Sequence, residues 1–174
     1  MAFHLKALSA NGRFLLVVLG LCGCQSVSPQ IPQSSLPQID ANAYLSLEAS
    51  GVQIYRCDLG ADHSPHWQFV QPSAKLSNAQ GVSVQHGAGP SWVAEDGSRV
   101  TGKVVASRPS AGNIDWLQIL ARNDGPPGLL SQTSYIERVN TKGGVANPEM
   151  CVATSVGQTV KAPYTATYVF YRSR

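Results

Sequence analysis

Three histidines are the first residues whose types and spacing could do chemistry. Asp62-His63-Ser64-Pro65-His66 sets two imidazoles three positions apart, and His86 follows twenty residues later. Three imidazoles and a water make a catalytic zinc set, so His63, His66 and His86 are the weak candidates for a metal site. Their first pair sits in a loop-forming stretch, where the spacing does not aim both rings at one point as a helix would. Ser98, His86 and either Asp96 or Asp115 are the residue types of a nucleophilic triad. No nucleophile elbow surrounds the serine, however, and Asp96-Gly97-Ser98 reads fully as a turn. Glu137 and Arg138 are neighbours that must take opposite faces of one strand. An inward charge needs a partner, either an ion pair with Asp115 or Arg56 or the polar part of a ligand pocket. Trp67, Trp92 and Trp116 supply aromatic surface of the kind on which sugar rings stack. None of these patterns commits a residue to catalysis, and none calls for a cofactor.

The elements that position these residues read as strands. Runs rich in β-branched and aromatic residues, bounded by Gly, Pro, Asn or Asp, cover 51–57, 66–71, 81–86, 91–95, 98–107, 113–122, 132–141 and 163–171. Eight such runs predict an all-β domain, an antiparallel β-sandwich or a partly closed barrel. Val100, Gly102, Val104 and Ala106 alternate with polar neighbours, the mark of a sheet with one wet face. Ile114-Asp115-Trp116-Leu117-Gln118-Ile119-Leu120 is apolar on both sides, which predicts a central, doubly covered strand. A short helix over residues 39–47 is also compatible with the sequence. In the last run Tyr164, Tyr168 and Phe170 share a core face, with Tyr171 opposite.

The stretch Gly87–Thr101 is the best-specified local structure, a β-hairpin. A two-residue turn at Asp96-Gly97 pairs Val93 with Val100 and Trp92 with Thr101, placing Trp92 on the wetter face between Arg99 and Lys103. Trp92, Arg99, Lys103 and Trp67 are then the candidate ligand-binding residues. A three-residue loop shifts the pairing by one and turns Trp92 into the core. The first register is the expectation, because it matches valine with valine.

Residues 1–23 read as a secretory signal. Lys6 and Arg13 precede the apolar run Phe14–Leu21, and Gly23 stands before Cys24. Leu21-Cys22-Gly23-Cys24 resembles the bacterial lipobox, which marks Cys24 for lipidation and the membrane as a partner through that anchor. Gln25 after the cysteine resembles outer-membrane lipoproteins, which implies the periplasmic face of the outer membrane. Residues 24–40, rich in Pro, Ser and Gln, read as a flexible tether, and 41–174 as one domain. The formal charge of the 174 residues is +3, and without Lys6 and Arg13 eleven bases face ten acids. That balance gives no case for nucleic acid.

Two cysteines remain in the domain, Cys57 and Cys151, and in an exported chain such a pair predicts a disulfide. Gly51-Val52-Gln53-Ile54-Tyr55-Arg56-Cys57, Gly89-Pro90-Ser91-Trp92 with Asp96-Gly97-Ser98, Ile114-Asp115-Trp116-Leu117, Tyr135 to Gly144, Cys151 and Pro163 to Tyr171 together resemble the DUF3455 family. The resemblance runs from about Leu45 to the C-terminus and implies an exported domain without an assigned activity. The chain departs from the family at His86-Gly87-Ala88, where an aromatic often follows the histidine. The functional expectation is therefore a non-catalytic binding or structural module of the cell envelope, with a glycan or protein ligand. The alternative is a hydrolase or metal-dependent enzyme using His63, His66 and His86.

Overall fold

The computed structural model describes residues 36–174. The signal segment, Cys24 and the tether before residue 36 lie outside the described residues. Eight strands follow in order: β1 (Ala41–Leu59), β2 (Pro65–Ser77), β3 (Ser83–Gly87), β4 (Ser91–Ala94), β5 (Arg99–Ser110), β6 (Asn113–Asn123), β7 (Thr133–Gly143) and β8 (Thr159–Ser173). Each is antiparallel to the next, and β8 returns to pair with β1, so the single sheet closes into a barrel. All eight strands anticipated from the sequence are present. The helix anticipated over residues 39–47 is instead the start of β1, because Ala41–Ser50 pair along β8 and the ladder outweighs local propensity.

Closure gives every strand an inner and an outer face. Along β8, Ala162, Tyr164, Ala166, Tyr168 and Phe170 are buried, while Tyr171 turns outward and its hydroxyl donates to Glu137 Oε2 at 2.7 Å. Leu47, Leu76, Val84, Trp92, Val100, Ile119 and Ile136 complete the interior, joined by Leu130 from the β6–β7 connection. Each such large side chain contributes about 1.5–3 kcal/mol on burial. A barrel has one wall, and this corrects the double covering expected for β6. Leu120 is exposed on its outer face, Trp116 carries the Arg108 guanidinium 5.4 Å from its ring centroid, and Gln118 is covered. That cover is Leu36-Pro37, read from sequence as tether: Leu36 is buried, and Gln118 Nε2 donates to the Pro37 carbonyl at 2.8 Å.

The β4–β5 hairpin takes the shifted register. Trp92 pairs with Val100 and Val93 with Arg99, around a three-residue loop closed by Ala94 N–H donating to the Ser98 carbonyl at 3.0 Å. Gly97 has φ 82°, which an L-residue adopts only with strain, so the loop ends in a glycine bulge. Asp96 fixes this loop from outside: Oδ1 accepts from Ser98 N and Ser98 Oγ at 2.9 and 2.6 Å, and Oδ2 accepts from Leu129 N at 2.7 Å. Ser98 Oγ in turn accepts from Leu130 N at 3.1 Å. Trp92 thereby enters the core with no exposure, above Gly102, where any side chain would overlap Ile119 and the indole. Burying a whole indole outweighs matching Val93 with Val100 across the hairpin.

Two strands are much shorter than their neighbours, and this opens the wall. β2 pairs with β3 only over Ala74–Ser77, and β4 pairs with β5 only over Ser91–Val93. Residues 65–73 of β2 and 103–110 of β5 thus face a gap, without a strand partner on that side among the described residues. Both edges carry a bulge beside it, at Val70 and at Val105, where the register skips one residue. Pro72 and Pro109 sit on the same two edges, where a missing N–H costs no ladder bond.

Cys57 and Cys151 are bonded, with Cα atoms 5.5 Å apart across a separation of 94 residues. The bond fastens the connection between β7 and β8 to the end of β1. On the chain-entropy account, closing such a loop contributes about 4–5 kcal/mol. Replacing both cysteines with alanine should lower the free energy of unfolding by roughly that amount, read from guanidinium titration of oxidised protein.

Candidate functional site

Half of the barrel interior is packed solid, and the half beside the gap is not. A cavity of about 310 Å³ lies there, bordered by Phe69–Pro72 of β2, the β3–β4 tip at Gly89-Pro90, and Val104 of β5. Its inner lining is Gln53, His86, Trp92, Leu117, Ile119, Arg138 and Tyr168. The pleat explains each inward placement. Arg138 pairs with Tyr168 and Leu117 on the inner face of β7, while its neighbour Glu137 pairs with Val169 on the outer face. Gln53 follows Leu47 and Ala49 at even spacing on β1. His86 faces Trp92 across the β3–β4 ladder.

His86 and Trp92 stack, with ring centroids 4.5 Å apart and planes 7° apart, and Tyr168 meets both edge-on at 5.4 and 6.1 Å. The His86 Nδ1 lies 2.9 Å from the Ser91 carbonyl, which can only accept, so Nδ1 carries the proton and Nε2 the lone pair. Burial, with the Arg138 guanidinium as a further cause, lowers the His86 pKa to about 4, so the ring is neutral at ordinary pH. Burial also raises the Tyr164 and Tyr168 hydroxyls above the normal range.

Polar groups on this lining are incompletely satisfied. Trp92 Nε1 and Gln53 Nε2 are buried donors without a hydrogen-bond partner. Arg138 donates from Nε and Nη2 to the Asp115 carbonyl at 3.0 and 2.8 Å. It has no carboxylate partner among the described residues, since the ion pairs there are Arg56 with Asp58, Arg99 with Asp124, and Arg174 with Asp40. The ion pair expected from Arg138 or Glu137 to Asp115 or Arg56 is therefore absent, and Glu137 is held by Tyr171 instead. Buried donors left unpaired cost about 1–3 kcal/mol each, which marks a site where stability has been traded for something else.

The other sequence candidates do not assemble. His63 and His66 are exposed near the β1–β2 turn, whereas His86 is buried inside. His66 and the His86 partner Ala74 are eight residues apart along β2, on the order of 25 Å, so no three-histidine centre forms. Among the described residues no group of three His, Cys, Asp or Glu could hold a metal ion. Ser98 and Asp96 serve their loop. Trp92, Arg99, Lys103 and Trp67 also fail to meet. Trp92 is interior and Arg99 is exposed. Lys103 borders a more open depression of about 620 Å³ outside the wall. Trp67 Nε1 donates to the Asn147 carbonyl at 2.7 Å, beside the β7–β8 connection. With Trp92 inside, the three tryptophans do not form a stacking platform. Sequence pattern alone does not mark Gln53 and Tyr168 as lining residues, because the strand signal of β1 is clear only from Gly51 and the spacing of Tyr168 fits plain core. A glutamine in phase with Leu47 and Ala49 was the available signal.

His86 makes stability depend on pH with a definite sign. Its folded pKa, about 4, lies below the unfolded value near 6.5, so the unfolded chain takes the proton first. Stability is complete above about pH 6.5 and is lost as pH falls towards 4, by up to about 3 kcal/mol. Urea midpoints measured across that window should fall in the wild type and much less in His86→Phe, which keeps the stack without the titration.

Comparison with known families finds a match to the model described as "Protein of unknown function (DUF3455)", over residues 38–86 and 80–172. Neither the curated proteins nor the solved structures give a match. The cavity residues Gln53, His86, Trp92, Arg138 and Tyr168 all fall within the matched span. The chain belongs to the DUF3455 family.

Proposed function

We propose that this chain is a lipid-anchored binding module of the cell envelope, whose barrel interior takes up one small amphipathic molecule through the gap between β2 and β5. The observation that carries the reading is the cavity of about 310 Å³ beside the gap, lined by residues that include Gln53, Trp92 and Arg138. Its size is at the low end for small-molecule sites, about 300–1,000 Å³. Eight-stranded barrels are wide enough either to be filled by side chains or to hold one small ligand, and this interior does each in one half. Phe69, Val70, Val104 and Val105 are all substantially exposed at the rims of the gap, which gives an apolar entrance. The hydrolase or metalloenzyme alternative required His63, His66 and His86 to converge, and their separation removes its support. A glycan platform loses its support in the same way, with Trp92 inside.

The anchor reading rests on Cys24 and its preceding Leu21-Cys22-Gly23. Cys24→Ala should release the protein from the membrane fraction, and unchanged sedimentation with outer membranes would contradict the anchor. For the cavity, the neutral dye N-phenyl-1-naphthylamine should bind saturably, at one per chain, with enhanced fluorescence. Val104→Trp, which fills the entrance at an exposed position, should weaken that binding by about tenfold, an amount equal to about 1.4 kcal/mol. A folded wild type without saturable dye uptake would refute the reading.

A further inference from the structure

A half-buried guanidinium on the inner face of a barrel is served best by a counter-group, because a charge partly withdrawn from water keeps only part of its solvation. Arg138 lines the cavity, and its charge is felt by His86, Tyr55, Tyr164 and Tyr168, which places it among aromatic groups rather than acids. Its partners within the chain are neutral: the Asp115 carbonyl, which uses Nε and Nη2, and the Tyr168 hydroxyl. No Asp or Glu lines the cavity. Glu137, the acid next to Arg138 in sequence, is turned to the outer face and bonded there by Tyr171. The cavity lining therefore holds one fixed cation and no anion, and the unpaired Trp92 Nε1–H and Gln53 Nε2–H belong to two of its residues, buried beneath the accessible surface. Arg138 is the lining group without a counter-charge, and its complement is an acceptor carrying negative charge.

The rest of the lining sets the body of the ligand. Leu117, Ile119, Val104, Phe69, Val70 and Pro72 are apolar, and they lead from Arg138 to the open edges of β2 and β5. Resting on the reading of the cavity as a ligand site, we propose that its ligand is an amphiphilic monocarboxylic acid, the carboxylate paired with Arg138 and the apolar body lying along Leu117 and Ile119 towards the gap. Planar bidentate pairing suits a carboxylate to arginine and would be lost with lysine. His86, neutral with its Nδ1–H committed to Ser91, adds no competing charge.

Decanoate, decanol and decylamine, each below its micellar concentration, share one apolar body and differ in head group. In displacement of N-phenyl-1-naphthylamine from the full chain, decanoate should be at least tenfold more effective than decanol, and decylamine the weakest. In Arg138→Met the decanoate advantage should vanish while decanol is unchanged, and Arg138→Lys should recover only part of it. If Arg138→Met does not fold, the head-group ranking in the wild type decides, together with a reduced decanoate advantage in Arg138→Lys, which keeps the charge. Dye bound in the cavity but displaced equally by decanoate and decanol overturns the carboxylate assignment and leaves the cavity reading standing. Failure of the folded chain to bind the dye overturns both.

Discussion

Antiparallel strands closed in a ring must find hydrogen-bond partners on both sides, and β3 and β4 are too short to provide them for the long strands next to them. That shortage decides the architecture. Where β3 and β4 are present, between β2 and β5, the wall is complete and the interior is packed with Leu76, Val84, Trp92 and Val100. Where they end, the edges of β2 and β5 separate, both bulge, and the space between them leads into a cavity. Packed core and open site are two halves of one barrel, divided by the length of a single hairpin. The disulfide and the ties from Asp96 to Leu129 and from Ser98 to Leu130 hold the connections that would otherwise loosen such an interrupted wall.

One residue of register links that wall to the chemistry inside it. A two-residue turn would have left Trp92 outside with Arg99. The three-residue loop puts the indole against His86 and under Tyr168, with Gly102 making room for it. The stack buries an imidazole, which holds the ring neutral and commits its one proton to the Ser91 carbonyl. It also buries an indole N–H for which the chain supplies no acceptor. The same pleat carries Arg138 inward and Glu137 outward, so a pair of opposite charges adjacent in sequence ends on opposite sides of the wall.

Much of this architecture is legible in the sequence. Strand runs punctuated by Gly, Pro and Asn located all eight strands, and Cys57 and Cys151 announced their bond. The face of β8 followed from the spacing of Tyr164, Tyr168 and Phe170. The hairpin register was not legible, because Asp96-Gly97 suits either loop length. The deciding groups, the Leu129 and Leu130 amides, lie more than thirty residues away. The apolar run of β6 is ambiguous for a related reason: period alone does not distinguish a doubly covered strand from one whose outer face is covered only locally, here by Leu36 and Pro37. The gap did leave a trace, since Pro72 and Pro109 are residues that a paired central strand avoids. Glu137 and Arg138 gave the dilemma of an inward charge, and only the closed barrel shows which one faces in.

The central claim is that the interior beside Trp92 and Arg138 is a binding site, and the three indole N–H resonances report on it separately. Trp92 Nε1–H is buried and unpaired, Trp67 Nε1–H already donates to Asn147, and Trp116 lies under Arg108. Titration of decanoate into the folded chain, followed by nitrogen–proton correlation spectra of the indole groups, should shift the resonance of Trp92, which borders the cavity, and leave the other two in place. A saturating titration that moves Trp67 or Trp116 while Trp92 stays fixed would place the ligand outside the barrel and contradict the account.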